Sequence, residues 1–245
     1  MNDTVLHDPD LRYVTDWFWP IDRLAQAVGI SVSELADLID AGCGPGAIYA
    51  FSSRYGWWSA LDGHVDGYDG PPPAEAERWF APATAWGFCR AVLARRQGAS
   101  LAEAARENQA VFVEDFVSAL RRFPEARRGF ADCFDRTGGI GDTVARAQAA
   151  QEWAAWIEGG YAVCLRIFTG ETCVRKESLG AWLKAHIADP EGNPMTADQA
   201  LSMSENLAQL MLPFAPWQRP RCTPGLTIDR LVSDLRLGAE LPFRR

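Results

Sequence analysis

Apolar residues recur through most of the chain at intervals of three and four, the spacing of one face of an α-helix. The stretch 21–42 shows this spacing twice, interrupted at Gly29. Ser31, followed three residues later by Glu34, forms a capping box that starts the second helix, and Gly42 suits its C-terminal end. The pattern therefore predicts two short helices joined by a tight turn, the shape of a helix-turn-helix corner.

Helical spacing returns after residue 83. Further helices are predicted over residues 83–98, 100–123, around Arg127, over 142–167, over 170–189 and over 196–212, with a last one starting near Thr227. Thr169 is the expected N-cap of the helix that follows it. The segments TGGIGDT (137–143) and DPEGNP (189–194) are rich in breakers, so we predict a flexible break and a loop there.

The helical pattern breaks between Tyr49 and Tyr68 into short aromatic runs around Asp62 and Gly63, which predicts a small hairpin or an irregular loop. Three consecutive prolines at 71–73 then form a stiff connector. We therefore expect a mostly α protein. Its predicted parts are a helix-turn-helix-like module with an aromatic loop or hairpin at 1–70, a proline-rich connector at 71–82 and a helical domain at 83–245.

Composition favours a chain that folds without disulfides. Hydrophobic residues make up 48% of 245 residues, and the six cysteines contain no CxxC pair. The first thirty residues lack the features of a secretory signal, and no apolar run approaches the roughly 20 residues that span a bilayer. We therefore expect a cytoplasmic protein with reduced thiols, no membrane span and no cofactor.

The charge pattern disfavours nucleic acid as a partner. The net charge is −8, and residues 1–60 hold eight acids against three bases. A recognition helix needs basic neighbours to contact phosphates, whereas the second predicted helix carries Glu34, Asp37 and Asp40 and no base. A helix-turn-helix reused as a structural or protein-contact element explains these carboxylates better.

No metal site is predicted. Asp62, His64 and Asp66 occupy alternate positions as in a calcium loop, but Pro73 stands where the closing glutamate belongs, which favours a solvated turn. Cys164 and Cys173 have no histidine at zinc-finger spacing. The chain also lacks a GxSxG motif and a phosphate loop, so no catalytic residue is assigned.

Aromatic and charged residues converge in the segment from 153 to 186. On a helical wheel Arg175 shares a face with Leu179 and Trp182, so its guanidinium needs a partner such as Glu152, Glu158 or Glu171, while Lys176 should point more outward. The candidate ligand-binding residues are Trp153, Tyr161, Arg166, Arg175, Lys176, Glu177 and His186, with Arg219 and Arg221 closing the site. So many arginines favour a carboxylate or phosphate ligand.

Three separated motifs resemble a bacterial family of unknown function, some of whose members are labelled natural-product biosynthesis proteins. These motifs are YAVCLRIFTGETCVRKESL (161–179), LPFAPWQRPR (212–221) and the two-helix corner followed by Gly44, Pro45 and Tyr49. The resemblance covers residues 13–66 and 145–240 but not 74–135, and it implies an architecture and a biosynthetic role without assigning catalytic residues. The two-helix corner also resembles the helix-turn-helix of mercury-resistance-type regulators.

Two functions from different classes follow. The first is a biosynthesis or accessory protein that binds an anionic metabolite, with a metal-independent enzyme as an open variant. The alternative is a transcriptional or protein-interaction regulator that uses the N-terminal module. A basic patch of Arg23, Arg54 and the arginines at 121–128 would favour DNA. Exposure of Trp17, Trp19, Trp57 and Trp58 would favour a protein partner, and a homo-oligomer is compatible with either function.

Overall fold

The computed structural model describes residues 9–61, 63–64, 71–161 and 163–234, and the protein is mostly α-helical, as the pattern predicts. The helices are α1 (Pro9–Trp17), α2 (Ile21–Val28), α3 (Val32–Asp40), α4 (Thr84–Arg96), α5 (Leu101–Arg122), α6 (Ala126–Gly129), α7 (Asp142–Ile157), α8 (Gly170–Ala188), α9 (Ala197–Leu210) and α10 (Arg230–Asp234). The strands are β1 (Trp19–Pro20), β2 (Tyr49–Ser52), β3 (Gly56–Ser59), β4 (Gly63–His64) and β5 (Glu77–Phe80). Among the described helices, none combines the length and the hydropathy that crossing a bilayer requires.

The chain divides into two compact units. Unit 1 comprises Met1–Phe112 and Ala150–Phe168, and unit 2 comprises Val113–Ala149 and Thr169–Arg245. The predicted turn around Asp62 and Asp66 lies outside the described residues.

The two-helix corner of unit 1 forms where the local signals place it. Gly29 takes the left-handed conformation (φ 76°) that closes α2, and Ser31 caps α3. Glu34 N–H donates to Ser31 Oγ at 3.2 Å, and Ser31 N–H donates back to Glu34 Oε2 at 2.9 Å. Both halves of the predicted capping box are therefore confirmed.

A five-stranded antiparallel sheet, with the order β1-β5-β2-β3-β4, also belongs to unit 1. The β2–β3 hairpin confirms the break predicted after Tyr49. Strands β1 and β5 were not predicted, and β5 lies inside the predicted connector 71–82. Two to four residues are too few for an alternation of apolar and polar positions to stand out.

Helix α7 is shorter than predicted. It starts at Asp142 as expected but ends at Ile157 rather than near 167, because Gly159 adopts φ +94° and the chain turns there. A Cβ atom on Gly159 would lie 2.7 Å from Ala60 Cβ, so the glycine also allows a close approach of another segment at this turn. The prediction that this helix continues to residue 167 is therefore wrong.

Helix α8 is the centre of unit 2, where it packs against α6, α9 and the π-helical turn Gly225–Asp229. Two glycines allow backbones to meet. A Cβ on Gly129 would lie 2.9 Å from Ser178 N, and one on Gly170 would lie 2.1 Å from Phe116 N. Thr169 caps α8 as predicted by accepting from Thr172 N–H at 3.1 Å.

Candidate functional site

The sequence-predicted site residues are divided between the two units. Trp153, Tyr161 and Arg166 belong to unit 1, and Arg175, Lys176, Glu177, His186, Arg219 and Arg221 belong to unit 2. Trp153 is buried in an aromatic cluster with Phe112 and Trp156, so its ring is part of the core of unit 1. The Tyr161 hydroxyl donates a short hydrogen bond to the Glu152 carboxylate.

Lys176 does not point outward, and that prediction is wrong. Its side chain is only 8% exposed, and its ammonium group donates to Glu177 Oε1 at 2.5 Å. The wheel considered one packing face, whereas α6, α9 and the π-helical turn cover α8 from several sides. Lys176 is thus a buried ion-paired cation.

Arg175 has the partner predicted for it, since its Nη1 lies 3.8 Å from Glu171 Oε1. That distance exceeds a hydrogen bond. The Glu171 carboxylate is held more closely by Arg122 Nη2 at 2.8 Å. The guanidinium carbons of both arginines lie 5.5 Å from the centre of the Phe123 ring. The arrangement leaves Arg175 loosely paired beside an aromatic wall.

The remaining candidates of unit 2 mainly hold the fold. Arg219 donates to both oxygens of Asp229, at 2.7 and 2.8 Å, and so ties the 3₁₀ turn Arg219–Arg221 to the π-helical turn. His186 Nδ1 lies 2.9 Å from Asn193 O, which closes the loop after α8. These contacts account for Arg219 and His186 without a ligand.

A cleft that sequence reasoning missed opens where α5 ends and α6 begins. We call it the arginine cleft; its volume is about 420 Å³. Its walls are Leu120, Arg121, Phe123, Pro124, Arg127, Phe134, Gly138 and Ile140. Five of these side chains are apolar and two are guanidinium groups, a combination typical of sites for small organic ligands.

The segment predicted as a flexible break forms one wall of this cleft as an ordered turn. Phe134 and Ile140 pair as an isolated antiparallel bridge, and Asp135 Oδ1 accepts hydrogen bonds from Thr137 Oγ1 at 2.7 Å and from Gly139 N–H at 2.8 Å. These donors hold the pKa of the Asp135 carboxyl below its ordinary value. An aspartate two residues before a threonine and followed by glycines is typical of such a turn, and this signal could have revealed it.

The cations around the cleft are unequally compensated. Arg121 Nη2 lies 3.1 Å from Asp142 Oδ1. Arg127 has no carboxylate oxygen within 4 Å among the described residues. Its Nη2 donates to Asp135 O at 3.4 Å, and its guanidinium lies 5.7 Å from the Phe134 ring centre. Its positive charge is thus available to the cleft.

A smaller cavity of about 160 Å³ shares Phe123 with the arginine cleft. Its walls are Phe123, Glu125, Arg175, Ser178, Leu179 and Asn206, and we call it the Glu125 cavity. Ser178 Oγ donates a hydrogen bond to Val174 O at 2.5 Å. Within the part of the chain that the structure describes, the side chains of Glu125 and Asn206 make no hydrogen bond or ion pair. Across all the residues that the structure describes, no group of three His, Cys, Asp or Glu side chains is suited to a metal ion.

The chain belongs to a family of unknown function, DUF6058, whose family model matches residues 108–236, more than half of the chain. The match covers the 161–179 motif and every residue that lines the two cavities. It includes residues 108–135, which lie outside the sequence resemblance, and it does not extend to 13–66. No curated protein and no solved structure matches the chain.

Proposed function

We propose that this protein binds a small organic anion in the arginine cleft and serves as a biosynthesis or accessory protein for an anionic metabolite. One observation carries the proposal: Arg127 lines a cleft of about 420 Å³ with no carboxylate within 4 Å among the described residues, whereas the neighbouring Arg121 is paired. A guanidinium that is left uncompensated in a partly apolar cleft favours a carboxylate or phosphate ligand.

The size and the walls of the cleft support the same class of ligand. Pockets for small molecules typically measure roughly 300–1,000 Å³ and combine apolar walls with a few polar groups. The rings of Phe123 and Phe134 suit an apolar or aromatic body, and Arg127 suits an anionic end. We therefore expect the ligand to carry both.

Arg127 is also held in place before a ligand arrives. Its guanidinium lies beside the Phe134 ring, and the bare backbone of Gly138 approaches it, since a Cβ there would lie 3.2 Å from Arg127 Nη1. Gly138 has φ +93°, a conformation that favours glycine. A pre-positioned guanidinium loses little side-chain entropy on binding.

Calorimetric titration with phenyl phosphate and phenylpropionate tests the proposal. We expect wild-type protein to bind at least one of them, and Arg127→Gln to weaken that binding about tenfold or more, because a hydrogen-bonded ion pair is lost. Added salt should weaken wild-type binding. The matched control is Arg106→Gln, an exposed arginine of α5 outside the cleft, which should bind like wild type.

Two results would contradict the proposal. The first is a wild-type protein that binds neither compound. The second is an Arg127→Gln variant that binds as tightly as wild type while its circular dichroism shows an intact fold.

A regulator that acts through unit 1 on a protein partner is the second candidate function. Trp17, Trp19, Trp57 and Trp58 are all half-buried and form no exposed patch. Trp86 is 70% exposed, however, and Leu93, two turns later on α4, is 55% exposed. With a second copy of the chain as the simplest partner, sedimentation velocity should show self-association that Trp86→Glu abolishes; a wild-type chain that stays monomeric at high concentration would exclude this form of the hypothesis.

A further inference from the structure

We infer that the Glu125 cavity takes the zwitterionic head group of the same ligand that enters the arginine cleft. The ligand class is then an α-amino acid whose apolar side chain ends in a second anionic group. This inference rests on the proposed function, because it extends the arginine cleft by one compartment.

The chemistry of the Glu125 cavity is complementary to an ammonium group beside a carboxylate. Glu125 is half-buried and, within the described residues, has no basic group within 4 Å, so it offers an unused acceptor for an ammonium group. Asn206 offers a side-chain amide that has no hydrogen-bond partner among the described residues. An acid, an amide and a guanidinium around one small space match both charges of a zwitterion.

Arg175 is the group that would bind the ligand's carboxylate. Its own carboxylate contact, to Glu171, is 3.8 Å long, while Arg122 holds Glu171 at 2.8 Å. Turning Arg175 toward a ligand therefore breaks no hydrogen bond to Glu171 and leaves that carboxylate paired. The Arg175 side chain is 36% exposed, so a ligand can reach it.

The small volume of the Glu125 cavity and the Phe123 ring that it shares with the arginine cleft favour one ligand with two ends. A space of about 160 Å³ corresponds to about five water molecules in the liquid, which suits a head group but falls below the usual size of a ligand pocket. Phe123 lines both spaces. A ligand chain that passes the Phe123 ring would place its far end at Arg127.

Three probes separate the two compartments by calorimetry. O-phospho-L-tyrosine carries a zwitterion, a ring and a phosphate; phenyl phosphate lacks the zwitterion, and L-tyrosine lacks the phosphate. We expect O-phospho-L-tyrosine to bind about tenfold tighter than phenyl phosphate or more, since the head group adds charged hydrogen bonds. L-tyrosine should bind more weakly than O-phospho-L-tyrosine.

Variants assign that gain to named residues. Glu125→Gln should reduce the advantage of O-phospho-L-tyrosine over phenyl phosphate to less than about threefold and leave phenyl phosphate binding unchanged. Asn206→Asp, on the exposed side of α9, should act in the same direction because it places a carboxylate beside that of the ligand. Arg127→Gln should weaken both phosphates. Glu191→Gln, an exposed acid of unit 2 outside both cavities, is the control.

The outcomes distinguish the two claims. If phenyl phosphate binds and O-phospho-L-tyrosine binds no tighter, the head-group inference is overturned and the arginine cleft stands. If Glu125→Gln and Asn206→Asp leave the advantage intact, or weaken both phosphates equally in a folded protein, the inference is also overturned. If no probe binds, the proposed function and the inference fall together.

Discussion

The interiors of unit 1 and unit 2 differ in the charge that they bury. In unit 1 the Asn108 Nδ2 group donates to Cys43 O and Gly87 O at 2.9 Å each, and Thr84 Oγ1 donates to Ala81 O at 2.6 Å. Unit 2 buries the charged Lys176, and its Trp182 Nε1 and Ser204 Oγ atoms are buried without a hydrogen-bond partner among the described residues. In the described part of unit 1, Arg78 Nε is likewise buried without a hydrogen-bond partner.

This difference indicates where the protein tolerates a free-energy cost. An unsatisfied buried polar atom costs on the order of 1–3 kcal/mol, and a buried ion pair is often no more stabilising than apolar packing. Unit 2 carries the buried cation, and both cavities of the proposed site lie in it.

We expect the largest loss of stability when the backbone packing of unit 2 is disrupted. Gly170→Ala would place a Cβ 2.1 Å from Phe116 N, so the backbones must move apart and the free energy of unfolding should fall by about 3 kcal/mol or more. Gly180→Ala on the same helix is the control. Its Cβ would meet Thr223 Cγ2 at 3.5 Å, so it should stabilise by roughly 0.5–1 kcal/mol. Equal urea denaturation midpoints for the two variants would contradict this account.

The next largest loss of stability is expected when the hydrogen-bonded Asn108 amide of unit 1 is removed. Asn108→Ala deprives the Cys43 and Gly87 carbonyls of their donor and should destabilise by about 2–3 kcal/mol. Hydrogen exchange measured by mass spectrometry should show the loss of protection around Cys43. Gln151→Ala, at an exposed position of α7, should change stability by less than about 0.5 kcal/mol. A similar change in both variants would mean that the Asn108 amide contributes little.

A smaller effect tests the buried cation of unit 2. Glu177→Gln removes the carboxylate 2.5 Å from the Lys176 ammonium, and because the Glu177 side chain is 29% exposed, we expect a loss of about 1–2 kcal/mol. Glu191→Gln should leave the urea denaturation midpoint unchanged. If Glu177→Gln is as stable as wild type, the ion pair with Lys176 contributes nothing measurable to stability, and the buried cation does not distinguish the two units energetically.

The smallest expected effect is on the pH dependence of stability. Hydrogen bonds from Arg146 lower the pKa of the Glu114 and Asp142 carboxyls in unit 2. A lowered folded-state pKa contributes stability above the ordinary values of 4.5 and 3.8, and this is lost as pH falls through the folded values. Denaturation midpoints of Arg146→Gln should therefore fall less steeply than those of wild type below about pH 4. Parallel acid profiles would count against this role of Arg146.

Unit 1 provides the comparison for that experiment. Its Glu34 carboxyl also has a lowered pKa, but the cause is hydrogen bonding with Ser31 rather than an arginine ion pair. Salt screens ion pairs between exposed charges more than it weakens a capping hydrogen bond. High salt should therefore reduce the part of the pH dependence of stability that comes from Arg146. The part that comes from the Ser31 capping box should remain.

Local patterns determined what hydrogen bonds within one or two turns control. The capping box at Ser31, the N-cap at Thr169 and the pairing of Arg175 with Glu171 involve residues three or four apart, so one stretch of sequence specifies both partners. The mostly helical fold follows from the same periodicity.

Features whose partners are distant in sequence depend on long-range packing. Strand β5 needs β1 and β2 to exist, and the burial of Lys176 depends on α9 and the π-helical turn lying against α8. The arginine cleft depends on the turn at 134–140 folding back to meet the end of α5. Local sequence patterns thus specified most of the helices and the caps at Ser31 and Thr169. Long-range packing placed Arg121 beside Asp142 and left Arg127, on the same cleft, with no carboxylate within 4 Å among the described residues.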